Sequence, residues 1–242
     1  MLRNRLLQEP LLTSHPFKLI LFDFDGTLVD SQANIHRCMV QAFTAQDLEA
    51  PSLEAVRRVV GLSLELAIAQ LLKEEEGHQV ERLARDYREA FFCLRRDPAY
   101  REELFPGALS VLEALDQPDV CLGIATGKNL RGLRAALKQH QLSDRFVTLQ
   151  TPDHSPSKPH PGMVLRALSE IGCHPRETVL IGDTSYDMEM ARNAGVSALG
   201  VAWGYHPEQE LRAAGAQDVV ESFEALPRAL RGLLEEETCP AL

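Results

Sequence analysis

Phe17-Lys18-Leu19-Ile20-Leu21-Phe22-Asp23-Phe24-Asp25-Gly26-Thr27 is an apolar run that stops abruptly at two carboxylates and a glycine. Apart from Lys18 its hydrophobic residues are continuous rather than alternating. That is the pattern of a strand covered on both faces of a parallel sheet. Similar runs occupy 120–126, 178–183 and 198–202, with weaker ones at 146–150 and 218–220. Helical patterns separate them, over 107–116, 130–140, 161–171, 186–194 and 223–234. Strands alternating with helices predict an α/β fold built on a doubly wound parallel sheet.

Between about residues 32 and 105 the alternation fails. No strand is evident there, and helical patterns rich in Leu, Ala, Glu and Arg cover 32–46, 52–59, 63–76 and 79–96. A stretch of this length suffices for a small helical bundle. The chain is therefore expected to hold an α/β core domain from 1–31 and 106–242, interrupted after its first strand by a helical insert at 32–105.

The chain has 242 residues, with 35 acidic and 25 basic side chains and a formal charge of -10. This balance argues against nucleic acid as a partner, which a basic surface would serve. It leaves room for a small anionic substrate, because local charge can oppose net charge. Five cysteines, with no C-x-x-C pair, argue against a disulfide framework or a zinc site and favour a reducing, cytoplasmic compartment. No apolar run approaches the roughly 18 residues of a membrane span. Residues 1–16 read as a frayed arm, with a targeting segment as the alternative. The acidic run at 235–237 reads as a solvated end.

Four stretches carry candidate chemistry. Asp23 and Asp25 close the first strand at the edge where open α/β sheets bind ligands. A hard cation such as Mg²⁺ would compensate two such carboxylates, and Gly26 would turn the chain away. An ordinary acidic turn is the alternative. Thr126-Gly127 closes a strand and opens a helix, which suits either phosphate binding or a simple N-cap. Lys158, in Ser157-Lys158-Pro159-His160-Pro161, offers either a fixed positive charge on a stiffened loop or a solvated side chain. Asp183, in Gly182-Asp183-Thr184-Ser185-Tyr186-Asp187, could complete a metal site with Asp23, or cap a helix. Asp187 then lies in the first turn, where it suits the helix dipole or supports the ligands from behind.

Taken together and in order, DFDGTLVD, IATG, SKP and GDTSYD resemble the four motifs of the haloacid dehalogenase-like hydrolase superfamily over nearly the whole chain. The helical insert resembles its C1 cap, and Pro106-Gly107 resembles the return in the phosphoglycolate phosphatase-like branch. The resemblance implies a Rossmann-like core and an Mg²⁺-dependent phosphatase. Asp23 is then the nucleophile that forms an aspartyl-phosphate, and Asp25 the acid and base. Asp23, the Asp25 carbonyl and Asp183 hold Mg²⁺. Thr126, Gly127 and Lys158 hold phosphoryl oxygens, and Thr27 supports the loop of Asp25. Electrostatics agrees. A carboxylate about 4 Å from a phosphate dianion meets roughly 8 kcal/mol of repulsion at an effective dielectric near 20, so cations are needed.

The expected substrate is a small phosphorylated metabolite: phosphoglycolate, a sugar phosphate or a nucleotide. Gly61-Leu62-Ser63 resembles the insert loop that faces the active site. Arg57, Arg58 and Ser63 are candidates for an anionic substrate tail, with plain surface positions as the alternative for both arginines. The stretch Trp203-Gly204-Tyr205-His206 could border the site or serve packing. Alternatives are a β-phosphoglucomutase-like phosphomutase, weakened by the absence of a basic residue in Leu62-Ser63-Leu64, a pyrophosphatase, and an inactive phospho-ligand-binding protein. A monomer and a homodimer are both compatible with the sequence.

Overall fold

The computed structural model describes residues 17–73 and 77–237, with side chains to residue 233. In chain order the strands are β1 (Leu19–Phe22), β2 (Val29–Asp30), β3 (Glu103–Leu104), β4 (Cys121–Ala125), β5 (Thr148–Gln150), β6 (Thr178–Gly182), β7 (Ser197–Val201) and β8 (Asp218–Val220). The helices are α1 (Gln32–Thr44), α2 (Leu53–Val59), α3 (Leu64–Leu72), α4 (His78–Leu94), α5 (Ala108–Leu115), α6 (Leu130–Gln139), α7 (Gly162–Ile171), α8 (Ser185–Ala194), α9 (Glu208–Ala214) and α10 (Leu226–Glu237).

Six strands form one parallel sheet in the order β5-β4-β1-β6-β7-β8. Side chains alternate across it. Ile20, Phe22, Ile124 and Ile181 pack with Leu112 of α5, Leu133 of α6 and Leu230 of α10. Leu19, Leu21 and Leu180 pack on the other face with Val164 of α7, Met188 of α8 and Leu211 of α9. Both faces are covered, which accounts for the continuous apolar runs in the sequence. β1 lies between β4 and β6, so the strand order reverses there, and a crevice opens beyond the carboxyl ends of these three strands.

The helices α1 to α4 pack around a separate apolar cluster that includes Ile35, Met39, Ile68, Leu83 and Phe91. The chain enters and leaves this bundle through an antiparallel ribbon in which Val29 pairs with Leu104 and Asp30 with Glu103.

Several predicted boundaries shift. The first strand starts at Leu19, because Lys18 is exposed and paired with Glu177 at 2.8 Å. The helix expected over 63–76 ends at Leu72, where Lys73 turns left-handed at φ 58°; residues 74–76 lie outside the described set. The helix expected over 223–234 is a 3₁₀ turn at Phe223–Ala225 followed by α10. α10 also carries the backbone of 235–237, read above as a plain solvated end. The arm at 1–16 lies outside the described residues. α9 and the ribbon were not anticipated.

Candidate active site

Register brings the key carboxylates together. Phe22 is level with Ile124 and Ile181, so Asp23, Thr126 and Asp183 emerge from neighbouring strands at one edge. Asp23 is still tied to the sheet, its amide donating to the Ile181 carbonyl at 2.9 Å. Gly26 then turns the chain back at φ +93°, and a Cβ there would strike the Asp183 carboxylate. Only glycine permits both the backbone angle and the approach. The turn lays Thr27 over Asp183, with its hydroxyl donating to Asp183 Oδ1 at 2.8 Å. Tyr205 N–H donates to Asp183 Oδ2 at 2.9 Å. Thr27 thus positions Asp183 directly, beyond the loop-supporting role expected of it.

Lys158 is fully buried rather than solvated. Its Nζ lies 2.5 Å from Asp187 Oδ1 and 2.9 Å from Asp23 Oδ2. The second contact is an ion pair without directed hydrogen-bond geometry, and Asp23 Oδ2 has no other partner. Asp187 is saturated. Its Oδ2 accepts from the Thr184 hydroxyl at 2.6 Å and the Thr184 amide at 3.1 Å, in the capping box that starts α8. Asp187 therefore fixes the lysine, and the lysine faces Asp23.

Asp23, Asp183 and Asp187 present carboxylate oxygens within 4.8 Å of one another, all buried. Lys158 is the only cation in contact with this trio among the described residues. Burial pushes the Asp23 carboxyl up to about 7 against the opposing pull of Lys158. Burial and the nearby Asp23 and Asp187 charges raise Asp183 well above its usual range. Burial would lower Lys158, but Asp187 and Asp23 outweigh it and hold the ammonium above its ordinary value. This excess of buried negative charge, presented by hard oxygens, fits a divalent cation such as Mg²⁺.

Two residues beside the site were missed from sequence. Lys128 Nζ donates to both oxygens of Asp25, at 2.8 and 3.0 Å. It also lies 3.8 Å from Glu102, a buried acid just before β3. Burial lowers the Lys128 pKa, yet Asp25 and Glu102 raise it overall. A lysine one residue past Thr126-Gly127 gives no signal of its own, because lysines in loops that precede a helix are commonly solvated. Thr126 is buried, and its hydroxyl accepts from Lys128 N–H at 3.3 Å.

The bundle reaches the same edge. A Cβ on Gly127 would collide with the carbonyls of Gly61 and Leu62, so the predicted loop does face the site. Ser63 N–H donates to Ser157 Oγ at 2.7 Å, next to Lys158. Arg57 is tied to Gln32, and Arg58 pairs with Glu210 at 2.6 Å. Both are exposed and neither lines the cavity between bundle and sheet, so their surface reading holds. Trp203 is a support: its indole donates to the Thr27 carbonyl at 3.0 Å and packs on Phe223. Tyr205 packs with the bundle cluster. His206 is buried, which lowers its pKa, and its Nδ1 accepts from the Ser185 amide at 3.2 Å.

Comparison with known proteins agrees with this geometry. The chain is 34% identical over 224 residues to a protein named probable phosphatase IndB from Dickeya dadantii, covering 92% of this chain and 97% of the relative. It is 28% identical to the phosphoglycolate phosphatase of Vibrio vulnificus, over 89% of this chain and 96% of the relative. A crystal structure of a haloacid dehalogenase-like hydrolase from Bacteroides fragilis superposes with a TM-score of 0.79 at 27% identity, covering 87% of this chain and 99% of that one. The haloacid dehalogenase-like hydrolase family matches residues 20–201, and with the sheet order and the Asp23, Lys158 and Asp183 edge in place, the chain belongs to that family.

Proposed function

We propose that the protein is an Mg²⁺-dependent phosphatase that hydrolyses an organic phosphomonoester through a phosphoryl group carried on Asp23. The observation that carries this reading is the convergence of Asp23, Lys158 and Asp183 at one buried sheet edge. A carboxylate oxygen that accepts no hydrogen bond and borders the cavity, in a site with excess negative charge, suits a nucleophile that works beside a cation.

Asp23, the backbone carbonyl of Asp25 and Asp183 would hold Mg²⁺, which when bound neutralises phosphoryl charge and aligns the oxygens for displacement. Thr126, the Gly127 amide and Lys158 bind phosphoryl oxygens, and Asp187 keeps Lys158 in place. Asp23 forms the bond to phosphorus as the bond to the alcohol oxygen breaks, and Asp25 gives that oxygen its proton. Water then attacks phosphorus, Asp25 takes a proton from it, and Asp23 is released. Lys128 orients Asp25 for both steps. The insert at 32–105 acts as a cap that shields the site and selects the alcohol, set on a core made of 1–31 and 106–242.

The test is turnover of p-nitrophenyl phosphate. Mg²⁺ is expected to be required, a chelator to abolish activity, and Asp23→Asn to lower it by at least about 10³-fold. Turnover that survives both changes rules the reading out.

A further inference from the structure

We propose that the alcohol released by this enzyme has a largely apolar, ring-sized body ending in a carboxylate, and that Arg95 binds that carboxylate. The inference rests on the phosphatase reading and names its substrate class.

A cavity of about 400 Å³ extends from Asp23, Asp25 and Thr126 into the bundle. Sites that take organic ligands of moderate size span roughly 300–1,000 Å³. The bundle wall is apolar, built from Ile35, Met39, Val56, Val59, Leu64 and Phe91. Each CH₂ moved from water onto such a wall adds about fourfold in affinity. A two-carbon alcohol such as glycolate leaves most of that wall facing water, whereas a ring covers it.

The lining also includes Arg88, Arg95 and Arg131. Arg88 is committed to Glu65. Neither Arg95 nor Arg131 has a carboxylate partner among the described residues. Arg131 is exposed, whereas Arg95 is half-buried. The Arg95 guanidinium sits 4.8 Å from the centre of the Phe91 ring. One of its nitrogens lies 3.2 Å from where a Cβ on Gly132 would stand, in the first turn of α6. Arg95 is thus held between bundle and core by an aromatic face and a close backbone, beside the Tyr100 hydroxyl and with no carboxylate paired to its donor fork among the described residues.

No neighbouring acid is paired with Arg95 among the described residues. Asp25 binds Lys128, and Glu102, whose oxygens accept no hydrogen bond, lies 3.8 Å from that same lysine. Asp153 accepts from the Leu130 amide and the Thr151 hydroxyl. A planar carboxylate at the far end of a ring-sized alcohol matches the fork bidentately.

The experiment compares kcat/KM for 4-carboxyphenyl phosphate, phenyl phosphate and 2-phosphoglycolate. The carboxylated ring ester is expected to exceed phenyl phosphate by on the order of 10- to 100-fold, as a charge-assisted hydrogen bond provides, and to exceed 2-phosphoglycolate as well. Arg95→Gln should bring the ratio of carboxylated to plain ring ester close to one, and Arg95→Lys should retain part of it. Arg96→Gln, at an arginine that stacks on Phe92 but does not itself line the cavity, should leave the ratio intact. Calorimetric binding of both ring esters to the Asp23→Asn protein measures the same ratio without chemistry.

A wild-type ratio near one with phenyl phosphate turned over overturns the inference and leaves the phosphatase reading standing. So does a ratio that Arg95→Gln does not change, or a preference for 2-phosphoglycolate. If no ester is turned over while the Asp23→Asn protein binds the carboxylated ester more tightly through Arg95, the phosphatase reading falls and the assignment of the cavity survives.

Discussion

The sheet edge and the helical bundle meet across one cavity, and they are built on opposite principles. At the edge, polar groups are buried and over-determined. Asp183 accepts from two donors, Asp187 from three, and Lys158 bridges two carboxylates. In the bundle the cavity wall is mostly apolar, and the ion pair that links it to the core, Arg58 with Glu210, is exposed. On the proposed reading, the contrast assigns the reaction to a rigid frame of hydrogen bonds and the choice of alcohol to the shape of the cavity and the Arg95 guanidinium. Substitutions at the edge should therefore cost both stability and rate, and those in the bundle should mostly redistribute substrate preference.

The sharpest way to break this contrast is Lys158→Met. It strands Asp23 and Asp187 without their cation, and breaking a buried pair costs about 3–5 kcal/mol. Losing a donor to the phosphoryl group should lower kcat by a further ~10²- to 10³-fold. Chemical denaturation and steady-state kinetics check both; a stable, active variant would show that the edge is not over-determined.

Mg²⁺ should act on the edge alone. Burial holds the Asp23 carboxyl up to about 7, above its ordinary value of 3.8. Without a cation, the stability this group gives by holding a proton is complete below its unfolded value and is lost as pH rises through about 7. The gain in Tm on adding Mg²⁺ should therefore be larger at about pH 7.5 than at about pH 5.5. At a hundredfold excess over Kd the added stability is about 2.7 kcal/mol. Thermal melts at the two pH values measure it, and an equal gain at both contradicts the assignment.

Gly127→Ala probes the seam itself. Its methyl group would meet the carbonyls of Gly61 and Leu62, and overpacking of this kind costs about 1–3 kcal/mol. KM is expected to rise more than stability falls, because the methyl holds the bundle off the edge. Arg58→Ala should matter least. Its pair with Glu210 is half-exposed, so the stability change should stay below about 1 kcal/mol and fade with salt.

Much of the edge was legible in the sequence because a buried parallel strand that ends in a polar group calls for a compensating partner. Asp23, Asp25, Thr126 and Asp183 stood at such ends. The depth of Lys158 was not legible, because its burial depends on Asp187 arriving from α8 and Asp23 from the end of β1. Lys128 and Glu102 were invisible for the same reason. The ribbon escaped because two residues per strand are too few to show a period. α9 carried a readable signal in Pro207 followed by Glu208 and Glu210, with Gly215 after it, a start and stop pattern that was overlooked. The bundle's helices were readable, but which of its arginines face inward was not, since Arg57 and Arg95 differ only in what the tertiary packing sets beside them.

The pairing of Val29 with Leu104 has one more consequence. Departure and return share a single doorway, so everything between is a closed detour whose ends stay put whatever its interior becomes. On the proposed reading, exchanging 31–101 with the equivalent detour of a relative should transplant a preference for alcohols while Glu102 stays beside Lys128. Evolution could diversify this scaffold in the same modular way, one cassette at a time.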